Sequence, residues 1–272
     1  MSDTLNHVNT YLFVPANRTE RISKALFSGA DVVIVDLEDA VPAELKTSAR
    51  VALKDWLKSH PEHEVLIRVN AMYSAWFQDD LELATFSNVK GLVIPKTETA
   101  GDLLQLSQRY PLALYPLIET ALGFANIREI ARVEQVKALM FGSIDFQLEL
   151  NMQGGYHELL YFRNEFVLAS KLAGIAAPID GVTVDFLNQR QLEQDTLQAK
   201  NLGFGGKLCI HPKQLNTVKH VFLPTELELQ WAQRVLDAIA DSQGQAVSMD
   251  GKMIDLPVIL QAQKILQQPK QS

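Results

Sequence analysis

A single cysteine, Cys209, is all the thiol chemistry that the 272-residue chain holds. That scarcity excludes an internal disulfide framework and fits a reducing cytoplasm. Basic residues are also in deficit: 25 Lys and Arg against 32 Asp and Glu give a formal charge of −7. A nucleic acid or an anionic membrane asks for the opposite balance, so neither is expected as a partner. An anionic substrate would have to meet local basic residues or a metal ion. No apolar run approaches the length of a membrane span, and residues 1–10 are polar, so neither a spanning helix nor a secretory leader is expected. The expectation is a soluble cytoplasmic protein.

What the chain does have is apolar substance in short pieces. At 47% hydrophobic it can build one large core or two smaller ones. Strand-like runs begin at Tyr11 (YLFVPA), Val32 (VVIVDLED), Val65 (VLIRVN) and Gly91 (GLVIPKTE). Four more begin at Leu112 (LALYPLIET), Lys137 (KALMFGSID), Ile179 (IDGVTVDF) and Gly203 (GFGGKLCIHP). Spaced about 28 residues apart, they suit repeated strand-plus-helix units. Between them, Ile22, Ala25 and Leu26 share one helical face ahead of Gly29, and Ala49, Leu53, Trp56 and Leu57 share another ahead of Pro61. Thr225 and Glu228 form a capping-box pattern before Trp231, Val235 and Ile239. The strands are apolar throughout rather than alternating, as expected where helices cover a parallel sheet. Eight such units predict a (β/α)₈ barrel over residues 1–222, with a loop-and-helix extension over 223–272. An open doubly wound sheet is the runner-up, but no glycine-rich fingerprint follows the first run.

The strand ends carry the chemistry. They read Asp36, Glu38 and Asp39, then Arg68 and Asn70, then Lys96 and Glu98, followed by Glu119, Ser143 with Asp145, Asp185, and His211. In a barrel these open onto one face, where active sites are built. A set of solvated turns would show Gly, Asn, Ser and Pro instead. Glu38, Asp39, Glu119 and Asp145 together would repel one another, which a divalent cation resolves. Oxygen ligands without a Cys/His cluster favour Mg²⁺ or Mn²⁺, and such an ion takes only one or two carboxylates directly.

Several of these residues have two readings. Arg68 either holds a substrate carboxylate or enolate with its planar fork, or makes an internal salt bridge to a neighbouring acid. Lys96 suits substrate binding or, in a rival mechanism, a Schiff base. His211, before Pro212, is as well suited to backbone bonding as to catalysis. Alternation with Leu37 turns Asp36 away from the other acids. Arg18 and Lys24, near the first strand's mouth, are candidate contacts for phosphates. The extension carries an isolated Asp255 and then an apolar helix at Val258, Ala262, Ile265 and Leu266. It reads as a lid or as a packing element.

The stretches LFVPANRTERISKAL, GADVVIVDLEDAVP, IRVNAM, VIPKTE, LIETALGFANIREIA, FGSIDF, IDGVTVDF, LGFGGKLCIHPKQ and VSMDGKMIDLP, in this order, span nearly the whole chain. They resemble the citrate lyase β-subunit-like branch of the HpcH/HpaI aldolase family. The resemblance implies a (β/α)₈ barrel and a Mg²⁺-dependent carbon–carbon lyase acting on 3-hydroxyacyl-CoA thioesters. It assigns the metal to Glu119 and Asp145, its water ligands to Glu38 and Asp39, and the substrate-facing guanidinium to Arg68. Asp255 is implied as the acid/base group, delivered from the carboxyl-terminal lid of an adjacent subunit in a trimer or a multiple of trimers. One departure is Ala16, where many members have Gly after the Pro of the first strand. Within the family (3S)-citramalyl-CoA, cleaved to acetyl-CoA and pyruvate, ranks first as substrate. Citryl-CoA and malyl-CoA cleavage, or malyl-CoA hydrolysis, are the alternatives.

Overall fold

A computed structural model describes residues 8–241 and 247–268. The polar residues 1–7, His7 among them, and the Gly244 end of the extension's turn segment lie outside the described residues. Eight strands form: β1 (Thr10–Pro15), β2 (Val32–Asp36), β3 (Val65–Arg68), β4 (Val89–Ile94), β5 (Ala113–Ile118), β6 (Met140–Phe141), β7 (Ile179–Asp180) and β8 (Gly206–Cys209). They pair in parallel and in chain order, and β8 closes on β1 through Thr10 opposite Lys207, Tyr11 opposite Leu208 and Leu12 opposite Cys209. That closure is what an open sheet lacks.

The barrel interior follows from the two-residue period of a strand. Tyr11, Ile34, Leu66, Val93, Leu117, Met140, Ile179 and Leu208, one from each strand, meet in a single buried cluster. The faces between them turn outward to the helices, so both sides of each strand are covered. The helix Lys46–Ser59 buries Ala49, Leu53, Trp56 and Leu57 as one stripe. After the helix Ile22–Leu26, Gly29 takes a left-handed φ of 87° and turns the chain into β2.

Two of the expected strands are shorter than their apolar runs. In FGSID, β6 stops at Phe141 and Ser143–Glu149 is a helix, with Asp145 in its first turn. Small and acidic residues favour a helix start, so residues that read as a strand's end belong to the next element. In IDGVTVDF, β7 stops at Asp180 because Gly181 passes against the β6 end: a Cβ there would lie 2.5 Å from Ser143 Oγ. Asp185 falls in an exposed loop, where it accepts the Leu187 N–H at 3.1 Å.

By contacts the chain divides into two compact units, Val8–Val218 and a second one that begins at Lys219. In the second, Thr225 and Glu228 make a reciprocal capping box at the start of the helix Glu226–Asp241. An antiparallel hairpin follows, β9 (Val247–Met249) and β10 (Lys252–Ile254), whose turn places Asp250 and Gly251 at φ 51° and 74°. Both central residues at positive φ match the twist of a tight hairpin. The last helix, Leu256–Leu266, packs Ala262 with Ala232, Val235 and Ile254. Among the described residues no helix is long and apolar enough to cross a membrane.

Candidate active site

The interior period continues past the core into the barrel mouth. Ile34 points inward, so Asp36 does too; Leu66 carries Arg68 and Leu117 carries Glu119 in the same way. Asp36 and Arg68 are direct register partners across β2 and β3. Their side chains form a bidentate pair, Arg68 Nε donating to Asp36 Oδ1 at 2.7 Å and Nη2 to Oδ2 at 2.6 Å. Both are buried, 8% and 1% exposed. The expectation that Asp36 faces away is therefore corrected: it shares the face of Ile34, two residues earlier. It also accepts the backbone N–H groups of Glu38 at 2.8 Å and Ala40 at 3.2 Å. The internal salt bridge thus occupies the fork of Arg68. The remaining nitrogen, Nη1, lies 3.1 Å from Glu38 Oε2 and 3.5 Å from Asp39 Oδ2, and the guanidinium stacks 4.7 Å from the Phe13 ring.

Above this pair sit two acids in an environment that resists their charge. Glu119 is 2% exposed, and burial together with the neighbouring Glu38 pushes its carboxyl up to about 8. Burial likewise raises Glu38 to about 7 against the opposing pull of Arg68. Arg68 has already spent its two-point contact on Asp36, which is why a nearby guanidinium does not hold Glu38 low. Glu119 is placed from two sides. Its Oε2 accepts the Lys96 backbone N–H at 3.1 Å, from a residue held at a left-handed φ of 47°. On the other side lies Gly142, where a Cβ would stand 2.3 Å from Glu119 Cγ. Only glycine leaves that carboxylate its room.

These groups border one cavity of about 470 Å³, lined by Asp36, Asp39, Arg68, Glu119, Gly142 and Asp145 together with apolar side chains from β1, β5 and β8. The expected metal residues are thus brought together: Glu119 and Asp145 on the wall, Asp39 exposed at the rim, Glu38 behind. The donor set fits a hard divalent cation. Glu38 Oε2 is buried and makes no hydrogen bond among the described residues, its ion pair with Arg68 Nη1 at 3.1 Å aside, and Glu119 stands charge-averse beside it. Among the described residues no three His, Cys, Asp or Glu side chains converge to hold a metal by themselves. Mg²⁺ needs no such cage, because it keeps waters or substrate oxygens in most of its positions.

The remaining candidates sit apart from this set or at its edge. Lys96, with 47% of its side chain exposed, leans to within 3.8 Å of Glu38 Oε1. Arg18 is exposed and pairs with Glu20 at 2.7 Å. Lys24 borders a smaller cavity with Arg21, Phe13, Pro15 and His211. His211 caps a short turn, its Nδ1 accepting the Lys213 N–H at 3.1 Å, and stacks on Phe186. Asp255, in the second unit, is exposed and caps the last helix through the Val258 N–H at 3.3 Å. Sequence reasoning missed the partnership of Asp36 with Arg68 and the cradle at Gly142. Counting back two residues from Asp36 to Ile34 would have found the first.

Comparison with known proteins matches the same stretch of chain. A family model described as HpcH/HpaI aldolase/citrate lyase matches residues 9–212. A citrate lyase subunit beta-like protein of Deinococcus radiodurans is 37% identical, covering 95% of this chain and 96% of its own. A (3S)-malyl-CoA thioesterase of Cereibacter sphaeroides is 31% identical, covering 98% and 96%. The crystal structure of CitE from Mycobacterium tuberculosis in complex with magnesium, acetoacetate and coenzyme A superposes with a TM-score of 0.86. It is 33% identical and covers 95% of this chain and 96% of that one.

Proposed function

The chain belongs to the HpcH/HpaI aldolase/citrate lyase family, and from that premise we propose that it is a Mg²⁺-dependent carbon–carbon lyase of 3-hydroxyacyl-CoA thioesters, with (3S)-citramalyl-CoA as its substrate. The observation that carries the reading is a pair of buried, charge-averse carboxyls: Glu119, in the wall of a cavity that Asp145 and a fixed guanidinium also line, and Glu38 behind it. Such a set is stable as anions only with a cation among them. The M. tuberculosis structure named above contains magnesium, and its other ligands, acetoacetate and coenzyme A, match the substrate class.

In this reading Glu119 and Asp145 hold the ion, and Glu38 and Asp39 accept from its waters. The bound cation supplies Lewis-acid polarisation of the substrate's hydroxyl and carboxylate oxygens. Once the hydroxyl has lost its proton, its oxygen becomes the carbonyl of pyruvate. The carbon–carbon bond breaks, and its electrons pass to the thioester as an enolate. Arg68, kept in one orientation by Asp36, offers Nη1 to the negative charge in the cavity without having to reorganise. Asp255 is assigned both proton transfers: as a carboxylate it takes the hydroxyl proton, and as the acid it returns that proton to the enolate carbon to give acetyl-CoA. Lys96 needs no Schiff base in this scheme, and its ammonium leans on Glu38 rather than sitting in the apolar surroundings that activate such lysines.

The C. sphaeroides relative favours a second outcome, hydrolysis of malyl-CoA, in which Asp255 activates water. A panel of CoA thioesters assayed with Mg²⁺ and with chelator separates the two. Release of a 2-oxo acid, abolished by chelator, supports the lyase. Release of free 3-hydroxy acid and CoA without any 2-oxo acid rejects it in favour of the hydrolase.

A further inference from the structure

Two lysines are buried in the barrel unit, and they are treated differently. Lys207 is neutralised by Asp180, its Nζ donating to Oδ2 at 2.9 Å. Lys46, 8% exposed, has no carboxylate partner among the described residues. Its Nζ donates instead to two backbone carbonyls, Leu37 O at 3.0 Å and Glu38 O at 2.8 Å, and lies 5.2 Å from the centre of the Trp76 ring. Burying an ammonium on carbonyls and a ring face is costly unless nearby negative charge offsets it. The two carbonyls belong to the loop that carries Asp36, Glu38 and Asp39.

The contacts have a specific mechanical result. The peptide unit joining Leu37 to Glu38 is gripped at both ends: its N–H donates to Asp36 at 2.8 Å and its carbonyl accepts from Lys46. The next carbonyl, of Glu38, accepts from Lys46 and from the Val41 N–H at 3.0 Å. The backbone on each side of Glu38 is therefore fixed by buried charged side chains. Asp36 is itself fixed by Arg68, so one chain of contacts runs Arg68, Asp36, Glu38, Lys46. The chain path makes this possible: Pro42 and the single turn Ala43–Leu45 bring the first residue of the helix Lys46–Ser59 back beneath the loop.

We infer that Lys46 is a positioning residue that sets the orientation of Glu38 toward the divalent cation, acting through the two carbonyls and not by touching substrate. The inference rests on the cation reading given above. Partners that orient metal-site groups typically contribute a 10- to 100-fold effect on affinity. Lys46→Met keeps the length of the side chain and removes the donor; Lys46→Arg restores donors. Mn²⁺ binding to the whole protein, followed by the electron paramagnetic resonance of the free ion, reads the effect without turnover. Lys46→Met weakens binding by about 10-fold or more and Lys46→Arg recovers most of it. In a Glu38→Gln background Lys46→Met adds nothing further, because its effect passes through Glu38. Unchanged binding by folded Lys46→Met, or a full additive loss on top of Glu38→Gln, overturns the inference while leaving the cation reading intact. Failure of the unsubstituted protein to bind Mn²⁺ or Mg²⁺ overturns both. If Lys46→Met does not fold, Lys46→Gln, whose amide is too short to reach both carbonyls, carries the same comparison.

Discussion

Glu119 concentrates the physical tension of the molecule in one side chain. Folding removes it from water, so its folded carboxyl titrates near 8 against an ordinary 4.5. In chelator the folded state therefore holds the proton more tightly than the unfolded state between those values. The sign follows: stability from this group is present below about pH 4.5 and is lost as pH rises through about 8. Glu119→Gln removes the effect. In urea titrations with chelator, the substituted protein is expected to gain on the parent by roughly 2–4 kcal/mol between pH 5 and 8. Saturating Mg²⁺ should reverse the order, since the ion stabilises only the chain with the carboxylate. A constant difference across pH would remove burial as the cause. Asp36 was the residue least legible from sequence. Its partner was read correctly as a buried guanidinium in need of an anion, but the anion lies 32 positions earlier, and only pairing of β2 with β3 in register brings them together.

At the scale of elements, all eight apolar runs became strands, because unbroken β-branched and aliphatic stretches have few other ways to be buried on two faces. The Thr225–Glu228 box and the stop at Gly29 were legible for the same local reason: capping chemistry lies within four residues. The ends of β6 and β7 were not legible. They are set by close approach between neighbouring elements, Gly142 against Glu119 and Gly181 against Ser143, which no local pattern encodes. The Lys46 clamp was hidden likewise, because a lysine opening an amphipathic helix normally reads as solvated. The β6 end makes a direct prediction. Gly142→Ala puts a methyl 2.3 Å from Glu119 Cγ, and the cheapest relief is displacement of that side chain. The fold should survive, with cation affinity measured by calorimetry down about 10- to 100-fold. Native affinity in a folded Gly142→Ala protein would mean that Glu119 does not ligate.

For the whole molecule, the division into two units bears on where the acid/base group comes from. Asp255 is exposed on the second unit, at the head of a helix whose Leu256 and Leu260 are also exposed, beside Met253 of the hairpin. The family resemblance implies delivery of Asp255 to the cavity of a neighbouring copy in a trimer or a multiple of trimers. Light scattering should then report a mass that is a multiple of three chains of 30.4 kDa. Asp255→Asn should abolish turnover while leaving Mn²⁺ binding intact. Mixed oligomers of Asp255→Asn and Asp145→Ala chains should regain activity that neither has alone, since some mouths would pair an intact Asp145 with an intact Asp255. Failure of every such mixture to exceed the single variants would place Asp255 in its own chain's site or outside catalysis.

The central claim, that acids at the barrel mouth hold a cation essential to carbon–carbon cleavage, meets its most direct test at Asp145. The measurement is pyruvate release from (3S)-citramalyl-CoA at saturating Mg²⁺ by the parent chain and by Asp145→Ala. The account predicts Mg²⁺-dependent release by the parent and a loss of about 100-fold or more in the variant, the size of effect that removing one group aimed at developing charge produces. Full turnover by Asp145→Ala, or pyruvate release by the parent undiminished in chelator, would contradict it.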